Sequence, residues 1–269
     1  MSLNNKLNEI YSTKWDELID NGTKLINPIL SIKDIDISNL SLPEILKKQD
    51  KKIKNFGLIP SNPLLLQIDE EEFKSADIKV MIFGQETFGW HEFSISIEKE
   101  MESYKNFFNN GNVTYKGNSK SSFWKAFRWF RQNIDAHYKD KKVTYLWNNI
   151  SKMGRYEEKA GVPTKIKELE RTYFNHIIEK ELELLKPDMV IFLTGNRNDE
   201  IRFNFKNVEM KDIHYSATLK SNNGKIKYQK AQYLIHDNLP KKTIKLYHPS
   251  FFGGFNNIKE DALKFILDN

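Results

Sequence analysis

Short runs of consecutive apolar residues, separated by longer amphipathic segments, recur along the chain from residue 78 onward. Each run is rich in Val, Ile, Tyr and Phe and lacks the apolar and polar alternation of a strand with one solvent-facing side. Such continuous patterns are typical of strands buried on both faces of a parallel sheet. The four runs are IKVMIF (78–83), VTYLWN (143–148), MVIFLTG (189–195) and TIKLYH (243–248).

Apolar residues recur at helical spacing between and after these runs. The helical segments are FWKAFRWFRQNI (123–134), KIKELERTYFNHIIEKELELLK (165–186) and IKEDALKFIL (258–267). This alternation predicts an α/β fold, a three-layer α/β/α sandwich with a central four-stranded parallel sheet. In such sheets ligands bind beyond the carboxyl ends of the strands.

The N-terminal part of the chain has a different pattern. Apolar positions at helical spacing predict a helix over residues 3–20. Prolines at positions 28, 43, 60 and 63 then predict loops over residues 27–66, with one short helix after Pro43. We therefore expect an N-terminal helical and loop extension over residues 1–70 and an α/β domain over residues 71–269.

The composition excludes several kinds of chemistry. The 269 residues contain no cysteine, which excludes disulfides, a thiol nucleophile and a cysteine-held zinc or iron–sulfur site. No segment approaches the roughly 20 apolar residues of a transmembrane helix, and the N terminus lacks the apolar core of a signal peptide. We expect a monomeric cytoplasmic protein that does not bind membranes. The net charge of +6 suits a polyanionic partner, although it is also common among lysine-rich soluble proteins.

Polar and glycine-containing segments follow all four predicted strands. Glu86 follows the first strand, within GQETFGW, and His248 follows the fourth, within HPSFFGGF. The carboxyl ends of parallel strands meet at one edge of a sheet, so the two side chains are expected to converge on one ligand. A carboxylate and an imidazole in that arrangement are a common pair for acid/base or electrostatic catalysis.

These two segments resemble motifs of the uracil-DNA glycosylase superfamily. GQETFG resembles the family's water-activating motif, usually Gly-Gln-Asp-Pro-Tyr-His, and HPSFFGG is similar to its His-Pro-Ser-Pro-Leu motif. VTYLWNN is similar to the strand that ends in the base-reading Asn, and NSKSSFWKAF is similar to the phosphate-gripping loop before a helix. The resemblance covers residues 78–267. It implies the family's fold and a hydrolase that excises uracil or another damaged base from DNA without a cofactor or metal.

The resemblance also implies roles for individual residues. Glu86 and His248 would be catalytic, with the carboxylate acting on water and sugar charge and the imidazole stabilising the departing base. The implied base-binding residues are Gln85, through its backbone amide, and Asn148, or Asn149 if the strand register differs by one position. Phe88 stands at the tyrosine that excludes the methyl group of thymine, and Phe93 is a candidate stacking platform.

Two loops are expected to contact single- or double-stranded DNA. Phe252 occupies the position of the family's wedge leucine, although adjacent aromatic residues are also common in protein cores. Arg197 and Arg202 could contact phosphate or belong to a solvated face. The expected DNA-binding residues are Lys120, Ser122, Lys125, Ser250, Phe251 and Phe252.

The chain departs from the family pattern at several positions. Glu86 is one methylene longer than the usual Asp, Thr87 replaces a rigid proline, and Gly89 and Trp90 stand where the first motif ends in His. These departures leave two alternatives open. One is a module of the same fold that binds nucleic acid or a free base without cleavage, and the other is a hydrolase of small nucleosides or nucleotides.

Overall fold

The computed structural model describes residues 1–30, 59–87, 89–93, 96–109, 121–156, 161–213, 231–250 and 255–268. Within these ranges the chain forms nine α-helices and six β-strands. The helices are α1 (Leu3–Ser12), α2 (Trp15–Leu30), α3 (Glu70–Ser75), α4 (Ile97–Tyr104), α5 (Ser122–His137), α6 (Thr164–Tyr173), α7 (Ile177–Leu185), α8 (Asn198–Asn204) and α9 (Phe255–Asp268). The strands are β1 (Ile78–Gly84), β2 (Val143–Asn149), β3 (Met189–Phe192), β4 (Glu209–Asp212), β5 (Gln232–Ile235) and β6 (Lys242–Lys245).

All the strands of the described chain belong to one mixed sheet with the order β2-β1-β3-β6-β5-β4. The four predicted strands form its parallel part, β2, β1, β3 and β6. The predicted total of four strands is wrong, because β5 and β4 add two antiparallel strands at one edge. β4 has the sequence EMKD and is largely exposed, so it lacks the apolar run that reveals a buried strand. Polar residues of this kind protect an exposed sheet edge from pairing with another chain.

The centre of the sheet is fully apolar. β1 and β3 pair in register, with Phe83 opposite Phe192, and the two rings stack with their centroids 4.7 Å apart. The side chains from Val80 to Phe83 and from Met189 to Phe192 are buried. Burial on both faces explains why these strands have no polar alternation.

The N-terminal segment packs into the same core. Residues 3–20 were predicted to form one helix, but the structure divides this segment between α1 and α2, which is continuous through Pro28. The prediction of loops over residues 27–66 is therefore wrong for the last turn of α2, and the short helix predicted after Pro43 lies outside the described residues. Leu7 and Tyr11 of α1 are fully buried. Among the described residues, no helix is both long and apolar enough to cross a membrane.

Candidate functional site

A cavity of about 720 Å³ opens at the carboxyl edge of the parallel strands. The ends of β1 and β2, the start of α5 and the segment after β6 contribute to its wall. This is the position where an open α/β sheet binds ligands. The lining residues are Gly84, Gln85, Glu86, Thr87, Gly89, Trp90, His91, Phe107, Ser121, Ser122, Phe123, Trp124, Trp147, Asn149, His248 and Ser250.

The cavity brings together six of the residues selected from the sequence. They are Gln85, Glu86, Ser122, Asn149, His248 and Ser250. The side chains of Phe93, Lys125 and Asn148 are not part of its wall. The remaining predicted site residues lie outside the described residues: Phe88, Lys120, Phe251 and Phe252.

Glu86 is held by an arginine and a backbone amide. Arg197 Nη2 donates to both carboxylate oxygens, at 2.9 Å to Oε1 and 2.8 Å to Oε2. The Gly161 N–H donates to Oε1 at 2.7 Å. The Glu86 side chain is only 5% exposed, so the pair is largely shielded from water. Neither sequence interpretation of Arg197 anticipated this ion pair, because the two residues are far apart along the chain.

Contacts of Thr87 fix the loop that carries Glu86. Thr87 is buried, and its Oγ1 lies 2.8 Å from Ser61 Oγ. The same Ser61 oxygen accepts from the Gly154 N–H at 3.1 Å. A Cβ atom at Gly154 would lie 2.1 Å from the Thr87 carbonyl oxygen, so this close approach requires glycine. Contacts from two other segments of the chain thus hold this loop in place.

His248 presents one defined tautomer to the cavity. The Ser250 backbone N–H donates to Nδ1 at 3.3 Å, and Ser250 Oγ lies 2.7 Å from the same nitrogen. Because a backbone N–H can only donate, Nδ1 is the acceptor and the neutral ring carries its proton on Nε2. Burial lowers the pKa of His248, and the Arg197 cation lowers it further, while Glu86 partly counteracts both. The ring is therefore a neutral N–H donor.

Asn149 is oriented by a tryptophan. The Trp147 indole N–H donates to Asn149 Oδ1 at 3.2 Å. Indole is only a donor, so the reversed amide would place two donors against each other. The side-chain nitrogen Nδ2 is buried, and it has no hydrogen-bond partner within the described parts of the chain. A Cβ atom at Gly84 would lie 2.5 Å from Asn149 Oδ1, so the end of β1 must be glycine for this amide to fit.

Asn148 lies in the interior of the protein and not in the cavity, contrary to the first assignment from the sequence. Its Nδ2 donates to Glu181 at 2.8 Å, and its Oδ1 accepts from Lys152 Nζ at 2.6 Å and from the Asn149 N–H at 2.8 Å. Successive residues of a strand point to opposite faces of the sheet. Trp147 and Asn149 therefore point to one face, and Asn148 points to the other. A one-residue difference in register therefore separates the cavity asparagine from the structural one.

The network of hydrogen bonds around Asn148 links the site to α1. Lys152 Nζ and the Tyr11 hydroxyl both donate to Glu181 Oε1, at 2.7 and 2.6 Å. Burial lowers the pKa of the Lys152 ammonium, which Glu181 partly counteracts. The Asn148 side chain accepts a hydrogen bond from the Asn149 backbone N–H, so this buried network helps to fix the position of the last residue of β2.

Phe93 is a core residue, whereas Phe123 lies in the wall of the cavity. A Cβ atom at Gly22 in α2 would lie 2.2 Å from the Phe93 ring, so that ring packs directly against α2. Phe123 lines the cavity, and its ring would lie 3.2 Å from a Cβ at Gly84. It is therefore close to the Asn149 amide. The sequence showed Phe123 only as one of several aromatic residues in an amphipathic helix.

The site provides hydrogen-bond donors, a carboxylate and aromatic walls. Trp90, Phe107, Phe123, Trp124 and Trp147 contribute the aromatic surface. No group of three or more His, Asp or Glu side chains that could hold a metal occurs in the described ranges. The arrangement suits a planar heteroaromatic ring that presents a hydrogen-bond acceptor to Asn149.

The sequence matches no protein-family model and no curated protein.

Proposed function

We propose that the chain is a DNA base-excision glycosylase that hydrolyses the N-glycosidic bond of uracil or another modified base. The observation that carries this proposal is the convergence of Glu86, His248 and Asn149 on one cavity at the carboxyl edge of the sheet. The proposal includes the three-layer sandwich of the uracil-DNA glycosylase superfamily. It also includes action as a monomer on DNA, without a cofactor.

The chemistry of glycosidic cleavage requires two kinds of group. The bond breaks through a sugar with cationic character and a base with anionic character, so the site needs a negative group near the sugar and a donor near a base oxygen. Glu86 supplies the negative group. The His248 Nε2–H supplies the donor as a neutral imidazole, with the Gln85 backbone amide as a second proposed donor.

Base recognition rests on Asn149 and Phe123. The free Asn149 Nδ2 donates to a carbonyl oxygen or ring nitrogen of a base that has been flipped out of the helix. Phe123, on the same wall, provides an aromatic face for stacking. An exocyclic amine at that position of the base would meet a second donor, so the amide orientation favours oxo bases over amino bases.

DNA contact is proposed at the start of α5. Ser121 and Ser122 line the cavity, and Ser121 forms no side-chain cap bond to the helix. The first backbone N–H groups of such a helix favour a phosphate. Lys125, exposed one turn further along, adds positive charge beside them. The positive net charge of the chain is consistent with this partner.

A second candidate is a binding module of the same fold that does not cleave. The Arg197 ion pair favours it, because three contacts already occupy the Glu86 carboxylate. Such a module would still hold a base through Asn149 and His248.

The deciding experiment uses oligonucleotides that carry uracil, hypoxanthine, xanthine or an alkylated base, each in single- and double-stranded form. We expect an alkali-labile site from at least one of them, and its loss in Glu86→Gln and His248→Ala. Salt-dependent binding without any abasic site would overturn the glycosylase proposal in favour of the binding module. Release of bases from free nucleosides, without DNA binding, would indicate a nucleoside hydrolase.

A further inference from the structure

A second histidine lies in the cavity wall and is backed by a buried carboxylate. His91 Nδ1 lies 3.1 Å from Glu100 Oε1 and 3.3 Å from Oε2. The Glu100 side chain is fully buried, whereas the His91 side chain is 37% exposed. His91 lines the same cavity as Glu86 and His248. The pair therefore joins an interior negative charge to a ring that a ligand can reach.

The surroundings of Glu100 determine the orientation of the ring. Its carboxylate also accepts from Trp90 Nε1, and from Asn62 Nδ2 at 3.0 Å. A carboxylate in this role is only an acceptor, so the His91 Nδ1 must donate to it. The neutral ring then has its proton on Nδ1 and its lone pair on Nε2. This is the opposite tautomer to that of His248, which has its proton on Nε2.

The two histidines thus offer complementary chemistry in one cavity. His248 presents a donor, and His91 presents an acceptor held by a carboxylate, the arrangement that orients a general base in hydrolases. Glu86 is less available for that task. A carboxylate has about four acceptor positions, and Arg197 and Gly161 occupy three of them.

We propose that His91, oriented by Glu100, accepts the proton of the attacking water. This inference rests on the proposed glycosylase function and assigns one step of it. The water oxygen forms a bond to C1′ of the sugar, and the C1′–N bond breaks with its electron pair leaving on the base. One water proton moves to His91 Nε2. Glu86 stabilises the sugar charge, and His248 donates to the base oxygen.

The principal variant is His91→Asn, because the Asn amide nitrogen can replace Nδ1 as the donor to Glu100 but offers no group at the Nε2 position. We expect the single-turnover rate to fall by about 10²- to 10⁴-fold, with unchanged DNA affinity and thermal midpoint. The matched control is His176→Asn. His176 contacts Glu179 through Nδ1 at 3.2 Å but is not part of the cavity wall.

Chemical rescue distinguishes a proton acceptor from a structural residue. Added imidazole should restore rate to His91→Ala, because the ring position is open to the cavity, but should not restore rate to His248→Ala.

Each outcome has a distinct meaning. Base release by the parent, together with an unaltered rate in His91→Asn, would overturn this inference and leave the proposed function standing. Failure of imidazole to rescue a folded His91→Ala would also overturn it. If the parent releases no base from any oligonucleotide, the proposed function fails, and the role of His91 fails with it.

Discussion

Arg197 Nη2 contacts both oxygens of the Glu86 carboxylate, at 2.9 and 2.8 Å, at the carboxyl edge of the sheet. Glu86 follows β1, and Arg197 lies between β3 and α8. Because β1 and β3 are neighbours in the sheet, the pair joins the ends of two adjacent strands. Arg197 Nε is buried, and in the described structure it has no hydrogen-bond partner. The pair fixes the carboxylate in place, and the Arg197 cation also lowers the pKa of the His248 imidazole.

Glu86→Gln should lower the single-turnover rate of base release by about 10²- to 10⁴-fold, the range typical of positioned catalytic groups. The amide keeps the shape of the side chain but removes the charge that stabilises the sugar in the proposed mechanism. DNA affinity should change little. Glu168→Gln, an exposed change on α6, is the matched control. Unchanged release by Glu86→Gln would exclude a catalytic role for the carboxylate.

The pKa of His248 should respond in opposite directions to changes at the two members of the ion pair. Arg197→Met removes a cation that lowers the pKa of His248, so that pKa should rise; Glu86→Gln removes an anion that raises it, so it should fall. NMR titration of the ring signals measures both shifts without requiring activity. The signal of His176, outside the cavity wall, is the internal reference. Shifts of the same sign in both variants would contradict the arrangement.

Trp147→Phe should relax selection between oxo and amino bases. Without the indole N–H, the Asn149 amide can turn and present either its nitrogen or its oxygen. We expect the preference for uracil over cytosine to fall by about 10-fold or more, since one hydrogen bond of discrimination corresponds to ~1–3 kcal/mol. The ratio of release rates from matched oligonucleotides measures this effect.

The control for that prediction is Trp124→Phe. Trp124 packs against Trp147 with ring centroids 5.1 Å apart and lines the same cavity, but no indole bond from it orients the amide. A similar loss of selectivity in both variants would assign the effect to lost aromatic volume.

Lys152→Met should destabilise the fold by about 3–5 kcal/mol, because it leaves the Glu181 carboxylate buried without its cation. Both side chains are almost completely buried, at 1% and 0% exposure. The matched control is Lys74→Met, which removes a partner of Glu70 from an exposed pair and should cost only ~0–1 kcal/mol. Urea unfolding measures both values. Equal losses would mean that burial of the first pair has no energetic consequence.

Glu170 should make stability depend on pH. Burial raises its pKa to about 7, partly offset by the backbone N–H groups of Lys152 and Met153. The native state then binds a proton that the unfolded state has released, so the free energy of unfolding should decrease as pH rises from about 4.5 to about 7. The residue keeps some exposure, so we expect a contribution of about 1–3 kcal/mol.

Glu170→Gln tests this dependence. The variant cannot ionise, so its free energy of unfolding should change less across the same pH interval than that of the parent protein. Urea titrations at several pH values measure the slopes. Identical slopes in the two proteins would contradict the assignment to Glu170.

The strands that are buried on both faces could be predicted from their amino-acid pattern alone. β1 and β3 are continuous apolar runs, and burial of the whole side-chain surface produces that pattern directly. The segment after β1 and the segment after β6 were also identified, because glycine, carboxylate and imidazole residues stand where strands end. These predictions depend on local composition, which the sequence records.

The set of side chains that share the cavity depends on how the chain folds in three dimensions. A strand alternates its faces at every residue, so an uncertainty of one position in register separates Asn149 from Asn148. The ion pair between Glu86 and Arg197 joins residues that are 111 positions apart along the chain, so no local sequence pattern relates them. β4 was missed for a related reason: its pairing comes from the backbone of β5, while its side chains are polar and exposed.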